Sequence, residues 1–443
     1  MTAEAPAAPS MAQLEAGGIE TVIGTVVNPA GLTHAKTVPS RRLSAFADPG
    51  LGASPVWHVF AIDQTGIAFT KDMGVVGDER IRLDLTALRT LGDGLAWAPG
   101  SFFDQSGAPV PACSRGTLRR VEDRLRDASF DALVGHEIEF LLVAPDGSRL
   151  PSALWAQYGL AGVLEHEAFV RDVTTAAASA GVGIEQFHPE YGRNQFEISL
   201  TPLAPVAAAD QLVLMRLVVG RVARRHGMRV SYSPVPFAGG VGSGAHQHFS
   251  LSQNDAAVFS GRQGAHGLTD DGAHAIGGIL DGLPEAQGVL SGSILSGLRM
   301  QPGLWAGANI CWGTENREAA VRLIAGGPAH LHGANVEVKV VDPSANPYFA
   351  SAVILGLALD GVEQRTPLPP EVPVDPATLD DVATLPTDQA TVISVLDSSS
   401  RVRRILGDSA VDATVAVRRY EHETYGDLEP AELTDKFRMA WSL

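Results

Sequence analysis

Four stretches of the chain alternate polar and apolar residues with a period of two, and their titratable positions are filled by Glu and His with a single Lys. Successive side chains on an extended strand point to opposite faces, so residues 134–142, 195–200, 245–251 and 335–340 are predicted as β-strands. In the first, Glu137 and Glu139 oppose Val134, Ile138, Phe140 and Leu142; in the second, Gln195, Glu197 and Ser199 oppose Phe196, Ile198 and Leu200, with Glu190 just upstream. The third sets His246, His248 and Ser250 against Phe249 and Leu251, and the fourth sets Glu337 and Lys339 against Val336, Val338 and Val340. Taken singly, each segment reads more simply as an antiparallel strand with one wet face. A wet face, however, usually mixes Lys, Thr, Ser, Arg and Glu, and the joint pattern favours a site where five carboxylates and two imidazoles converge. Like charges at that density repel strongly in a partly desolvated volume, so the cluster requires cations. Oxygen-rich ligation with little imidazole and no thiolate suits Mg2+ or Mn2+ better than structural zinc.

Around these strands the pattern changes. Residues 1–17 open with an Ala- and Pro-rich run and are expected to form a flexible tail. Short apolar runs at 20–27 and 56–62, separated by Gly and Pro turns, predict a small strand-rich domain over 18–110. Pro, Gly and Asp punctuation makes 97–115 a crossing linker, and 111–443 forms the larger domain. The clearest helical patterns there are 165–180 and 207–226, the second closing on Arg224-Arg225-His226-Gly227, a cationic last turn with a Gly stop. A Pro-rich stretch at 366–376 precedes a helical region from 387 to the end.

A length of 443 residues fits two domains, and the formal charge of −17 argues against nucleic acid or an anionic membrane as the main partner. It is compatible with a cationic substrate. The start Met-Thr-Ala-Glu-Ala-Pro has no basic or apolar leader character, and no apolar run approaches membrane-spanning length, so a cytoplasmic location is expected. Cys113 and Cys311, far apart, read as small buried hydrophobes; a disulfide is neither required nor excluded.

The ordered motifs resemble those of the glutamine synthetase family. Gly135-His136-Glu137-Ile138-Glu139-Phe140 is similar to its Gly-x-Glu-x-Glu-Phe, and His188-Pro189-Glu190 with Gln195-Phe196-Glu197 to its His-x-Glu and Gln-x-Glu pair. The segment 242–250 resembles Gly-Ser-Gly-x-His-x-His-x-Ser, Asn316-Arg317 with Arg322 resembles Asn-Arg-x-x-x-x-Arg, and the run 342–348 matches the signature that follows the last Glu. Within the family the chain looks most like the actinobacterial glutamine-synthetase-like proteins. The resemblance implies an α+β fold, with an N-terminal β-grasp-like domain and a catalytic domain built on a curved antiparallel sheet. It also implies subunits in two stacked rings, a dodecamer with shared active sites.

By the same resemblance, ATP phosphorylates the glutamate side-chain carboxylate and an amine displaces the phosphate, chemistry that rests on positioning and charge neutralisation. Two or three Mg2+ or Mn2+ ions are implied, with Glu139, Glu190 and Glu197 on the glutamate side and Glu137, His246 and Glu337 on the nucleotide side. His248 and Ser250 are implied near the nucleotide, Arg317 and Arg322 at the transferring phosphoryl group, and Arg299, Gly242 and Lys339 at the glutamate. Three departures bear on the acceptor. Val241 replaces an Asn, Lys339 replaces an Arg and loses its bidentate fork, and Trp305 replaces the flap Glu of ammonia-using members. An aromatic wall suits an alkyl amine or a polyamine cation. The expected activity is therefore glutamate–amine ligation with a polyamine first and a monoamine second. Ammonia-using glutamine synthetase and a non-catalytic regulatory paralogue are the alternatives. Asp63 of a neighbouring subunit is the candidate base at the amine mouth. Thr366, standing where adenylylated members carry a Tyr ahead of Leu368-Pro369-Pro370-Glu371, implies that this regulation is absent.

Overall fold

The computed structural model describes residues 11–152, 154–261, 265–327 and 333–442. Strands β1 (Thr21–Val27), β2 (Thr33–Pro39), β3 (Leu51–Ala53), β4 (Glu79–Leu83), β5 (Arg89–Gly92) and β6 (Leu95–Phe103) form one sheet, in the order β2-β1-β6-β4-β3 with β5 also on β6. β1 and β6 run parallel, while the other neighbours are antiparallel. Residues 1–10 of the expected tail lie outside the described residues; Met11–Ala16 are helical and Leu14 is buried.

The predicted linker starts too early. Trp97 lies in β6, 1% exposed, and its Nε1 donates to Thr25 Oγ1 at 2.9 Å. Gly100, which reads as loop punctuation, is required by packing, since a Cβ there would come within 2.8 Å of Ile81 Cγ2. The connection runs only from Phe103 to the helix Ser114–Asp127.

The second sheet holds β7 (Phe130–Val143), β8 (Ile184–Pro189), β9 (Gln195–Leu200), β10 (Arg229–Ser231), β11 (Gln247–Gln253), β12 (Ala256–Ala257), β13 (Asn309–Thr314), β14 (Ala319–Ile324) and β15 (Asn335–Val338). Its main order is β13-β14-β15-β11-β7-β9-β8, antiparallel throughout except for the parallel pair β13–β14. All four expected ligand strands are present. The first is longer at its start, the third begins two residues later at Gln247, and the fourth ends at Val338. Their apolar faces, with Ile138, Phe140, Phe196 and Ile198 at 1% exposure or less, join the core. The helices Ser114–Asp127 and Pro205–Arg225 pack on β7, and Pro347–Gln364 packs on both. This is an α+β fold with the ligand-bearing sheet at its centre.

The helical patterns at 165–180 and 207–226 appear as Glu167–Ser179 and Pro205–Arg225, and the terminal region as four helices from Gln389 to Phe437. Asn346 caps Pro347–Gln364 through Oδ1, accepting from the amides of Tyr348 and Phe349, while its Nδ2 donates to the carbonyls of Val27 and Asn28 at 3.0 Å. One side chain thus ties the first sheet to the body built on the second. Both cysteines are buried free thiols. Among the described residues no helix is long and apolar enough to cross a membrane.

Candidate active site

Strand register assembles the site. Across β8, β9 and β7 the facing residues are His188, Glu197 and Glu139; across β11, β15 and β14 they are His248, Glu337 and Arg322. Upstream of β11 the backbone continues along β7, with the Glu137 amide donating to the His246 carbonyl and the Glu139 amide to that of Gly244, both at 3.0 Å. The two rows therefore meet at Glu137, Glu139 and His246. Gly244 keeps the junction open, because a Cβ there would stand 2.5 Å from His246 Nε2 and 2.8 Å from Glu139 Oε1.

At the first end, Glu337 is 2% exposed and receives Lys339 Nζ at 3.1 Å and Arg322 Nη1 at 3.1 Å. His246 Nδ1 lies 3.2 Å from Glu137 Oε2 and 3.5 Å from Glu337 Oε1. His248 Nε2 is 3.3 Å from Glu137 Oε1, and its Nδ1 is 2.9 Å from Asn335 Oδ1. Burial by itself would raise both carboxyls. For Glu137 the charges and hydrogen bonds of His248 and His246 together outweigh it and hold the carboxyl well below the usual range; for Glu337 the charges of Lys339, His248 and His246 together do so and hold it at about 2. His248 is opposed by burial yet raised to about 9 by Glu137, whereas burial and Lys339 lower His246.

At the second end, His188 Nε2 is 3.3 Å from Glu197 Oε1 and its Nδ1 is 3.4 Å from Glu190 Oε1. Burial pushes Glu190 up to about 7, reinforced by Glu139, and Glu197 up to about 8, reinforced by Glu137. A hydrogen bond with Glu197 raises His188 to about 9. Three overlapping groups hold ligand atoms within 4.8 Å of one another: Glu137, His248 and Glu337; Glu137, Glu197 and His246; His188, Glu190 and Glu197. His248 joins Glu137 and Glu337, His188 joins Glu190 and Glu197, and Glu197 links the two ends.

The other expected residues are placed unevenly. Arg299 is buried with Nη2 3.2 Å from His246 Nε2, and it donates to the carbonyls of Lys339 and Val340. Gly242 lies against it, and the Gly242 carbonyl accepts from Gln195 Nε2 at 2.9 Å. That same Nε2 is 3.0 Å from Glu139 Oε2, so Gln195 orients a cluster carboxylate. Arg322 bridges Glu337 and Glu315. Arg317 is exposed and makes no hydrogen bond or ion pair among the described residues. Its neighbour Asn316 donates to the carbonyls of Val372 and Val374 and so fastens the Pro-rich segment. Ser250 sits half-buried two residues beyond His248.

Asp63 is engaged elsewhere in its own chain, accepting from Tyr425 at 2.6 Å and Tyr420 at 2.9 Å. Although burial raises it, the Tyr425 hydroxyl and other donors leave it below the usual range, which makes it a weak base. Val241 and Trp305 are 48% and 42% exposed. Trp305 meets Tyr191 edge-on with ring centroids 5.4 Å apart, Tyr191 meets Tyr158 at 5.7 Å, and Tyr158 meets His188 at 5.6 Å. An aromatic path therefore leads from solvent to the second end of the cluster.

His188, Gln195, Tyr191 and Tyr158 were not among the expected site residues. His188 stands two before Glu190 and Tyr191 directly after it, a local signal that was readable; Tyr158 comes from the segment before the helix Leu160–Glu165 and carries no such signal.

Comparison with known proteins places this geometry. The pattern of the glutamine synthetase catalytic domain matches residues 111–434. Gamma-glutamylpolyamine synthetase GlnA3 of Streptomyces coelicolor is 37% identical over 423 residues, covering 92% of this chain and 90% of that protein. A glutamine synthetase of Pyrococcus abyssi is 28% identical over 408 residues, covering 89% and 88%. A crystal structure of a novel glutamine synthase homolog matches with a TM-score of 0.85 at 27% identity, covering 96% of this chain and 99% of the other.

Proposed function

The chain belongs to the glutamine synthetase family and is an ATP-dependent ligase, and on that premise we propose that it joins the γ-carboxylate of glutamate to an organic amine, a polyamine first and a monoamine second. ATP gives its γ-phosphoryl group to the carboxylate, forming γ-glutamyl phosphate and ADP. The amine nitrogen then attacks the acyl carbon, phosphate leaves, and the amine gives up a proton. The observation that carries the amine reading is the half-exposed aromatic path that starts at Trp305, where ammonia-using members carry the flap carboxylate, and runs through Tyr191 and Tyr158 to His188. Aromatic faces offer apolar area and cation–π attraction to an extended ammonium. The relative from Streptomyces coelicolor, named a gamma-glutamylpolyamine synthetase, supports a polyamine as acceptor.

The residues present fit hard divalent cations. The donors are oxygen-rich, and Gly244 leaves space between His246 and Glu139. Glu139, Glu190 and Glu197 would hold a cation on the glutamate side, and Glu137, His246 and Glu337 one on the phosphate side. Bound there, Mg2+ or Mn2+ supplies charge neutralisation for the phosphoryl oxygens. Arg317, exposed and without a hydrogen bond or ion pair among the described residues, is available to the transferring phosphoryl group. Arg322 reaches the same group after giving up Glu315, while Arg299 and the Gly242 backbone address the amino acid. A dodecamer of two stacked rings, in which Asp63 faces a neighbouring site, completes the reading.

The decisive experiment is phosphate release with ATP and glutamate against a panel of polyamines, monoamines and ammonia. Polyamines should lead. Turnover with ammonia above every organic amine returns the protein to the ammonia-using enzymes, and no turnover with any acceptor favours the regulatory paralogue.

A further inference from the structure

Glu318, on the turn between β13 and β14, has no part in the cluster, yet its carboxylate holds the loop that carries Trp305. Oε2 accepts the Gly303 amide at 3.4 Å and Oε1 the Trp305 amide at 3.0 Å. Both donors lie on left-handed backbone, Gly303 at φ 80° and Trp305 at φ 53°, so alternate N–H groups of the loop turn toward one anion. For a side chain as bulky as Trp the left-handed region is a rare conformation, kept only where the surroundings over-determine it.

The roots of the loop are fixed. Arg299 is buried at one end, and at the other Gly307 packs so closely on Lys339 that a Cβ would come within 2.8 Å of its Cβ. The tip, residues 301–305, is held differently. Apart from Gln301 to Gly297 and to Arg299 at its own root, the hydrogen bonds that join this tip to the rest of the fold, among the described residues, both end on Glu318. Glu318 is itself placed by its amide donating to Asn316 Oδ1 at 3.1 Å, and Asn316 is pinned to the 372–374 backbone.

We infer that Glu318 is a positioning residue, a latch that fastens the 301–305 loop over the amine mouth and sets Trp305 edge-on against Tyr191 as the wall an incoming amine meets. The inference deepens the amine-ligase reading and rests on it for the amine, but the latch itself can be measured without any substrate.

Hydrogen exchange of the full-length protein, followed by mass spectrometry over residues 299–308, tests the latch in Glu318→Ala and Glu318→Gln. Glu318→Ala should speed exchange at Gly303 and Trp305 by about tenfold or more, because two bonds to a charged acceptor are lost. Glu318→Gln keeps one oxygen and turns an NH2 toward the other donor, so it should fall between. In kinetics, Glu318→Ala should raise the KM for the preferred amine by about tenfold while the KM values for glutamate and ATP stay unchanged, with Glu318→Gln recovering part of the loss. Unchanged exchange in both variants overturns the inference. So does a loosened loop with unaltered amine KM, or a parallel rise in all three KM values. Should the wild-type enzyme use ammonia alone, the amine reading falls and the exchange result decides the latch.

Discussion

At one end of the carboxylate cluster Glu137 and Glu337 are surrounded by Lys339, Arg322, His246 and His248, whereas at the other His188 is the basic side chain within reach of both Glu190 and Glu197. Glu137, Glu197 and Glu337 lie on one sheet, Glu190 directly follows its strand β8, and all four are substantially desolvated, yet the first pair stays ionised and the second is pushed up to about 7 and about 8. The difference lies in who supplies the compensating charge. One end carries its own cations, Arg322 in β14 and Lys339 directly after β15; the other leaves a deficit that a divalent ion or protons must fill.

The largest expected effect separates the two ends by a single isosteric change made at each. Glu337→Gln strands the buried Lys339 beside a neutral amide, and breaking a buried pair costs about 3–5 kcal/mol. Glu197→Gln instead removes like-charge repulsion, so the metal-free protein should be as stable as wild type or more so. Both should lose turnover by more than the roughly 10–100-fold that attends loss of an outer partner of a metal site. Chemical denaturation in chelator reads the contrast, and equal destabilisation by the two variants would refute it.

A smaller effect extends the deficit outward. Trp305→Glu puts a carboxylate at the end of the aromatic path and removes the wall, so the ratio of ammonia-dependent to amine-dependent phosphate release should rise on the order of tenfold, about 1.4 kcal/mol of differential binding. An unchanged ratio would place acceptor choice somewhere other than this loop.

Much of the inner cluster could be read from the chain because strand alternation is a local property. Glu137, Glu139, Glu197, His246 and Glu337 declare their common side by spacing alone, and the sheet then aligns them. What spacing does not carry is which strands are neighbours, and so the pairing of His188 with Glu197, or of His248 with Glu337, had no signal. The amine mouth was the least legible part. Tyr158, Tyr191, Trp305 and Glu318 come from four separate segments that only tertiary packing brings together. Trp97 shows the opposite error: Pro99 and Gly100 mimic a linker although close packing against β4 explains the glycine. Asp63 was expected at the amine mouth, whereas the two tyrosines that hold it lie more than 350 positions away in sequence.

The smallest effect is a pH dependence that belongs to the metal-free protein alone. Glu190 and Glu197, ordinarily near 4.5, titrate at about 7 and about 8 when folded, so between those limits the native state binds protons that the unfolded chain has released. Stability then has a negative slope with pH: the contribution is complete below the unfolded value and is lost as pH rises through the folded ones. His188 and, at the first end, His248, each raised from 6.5 to about 9, act with the same sign over a higher window. Glu137 and Glu337 act in reverse, since their contribution is present above the unfolded value and fades only in acid, outside this range. Chelator-treated protein should therefore lose a few degrees of unfolding midpoint between about pH 5.5 and about pH 8.5. Saturating Mg2+ should abolish or invert the slope, because the ion takes the place of the protons and binds more tightly as they leave. Thermal unfolding at the two pH values, with and without Mg2+, measures both slopes. A metal-free midpoint that climbs across this range would mean that the second end is neutralised from within the chain, and the distinction between the two ends would disappear.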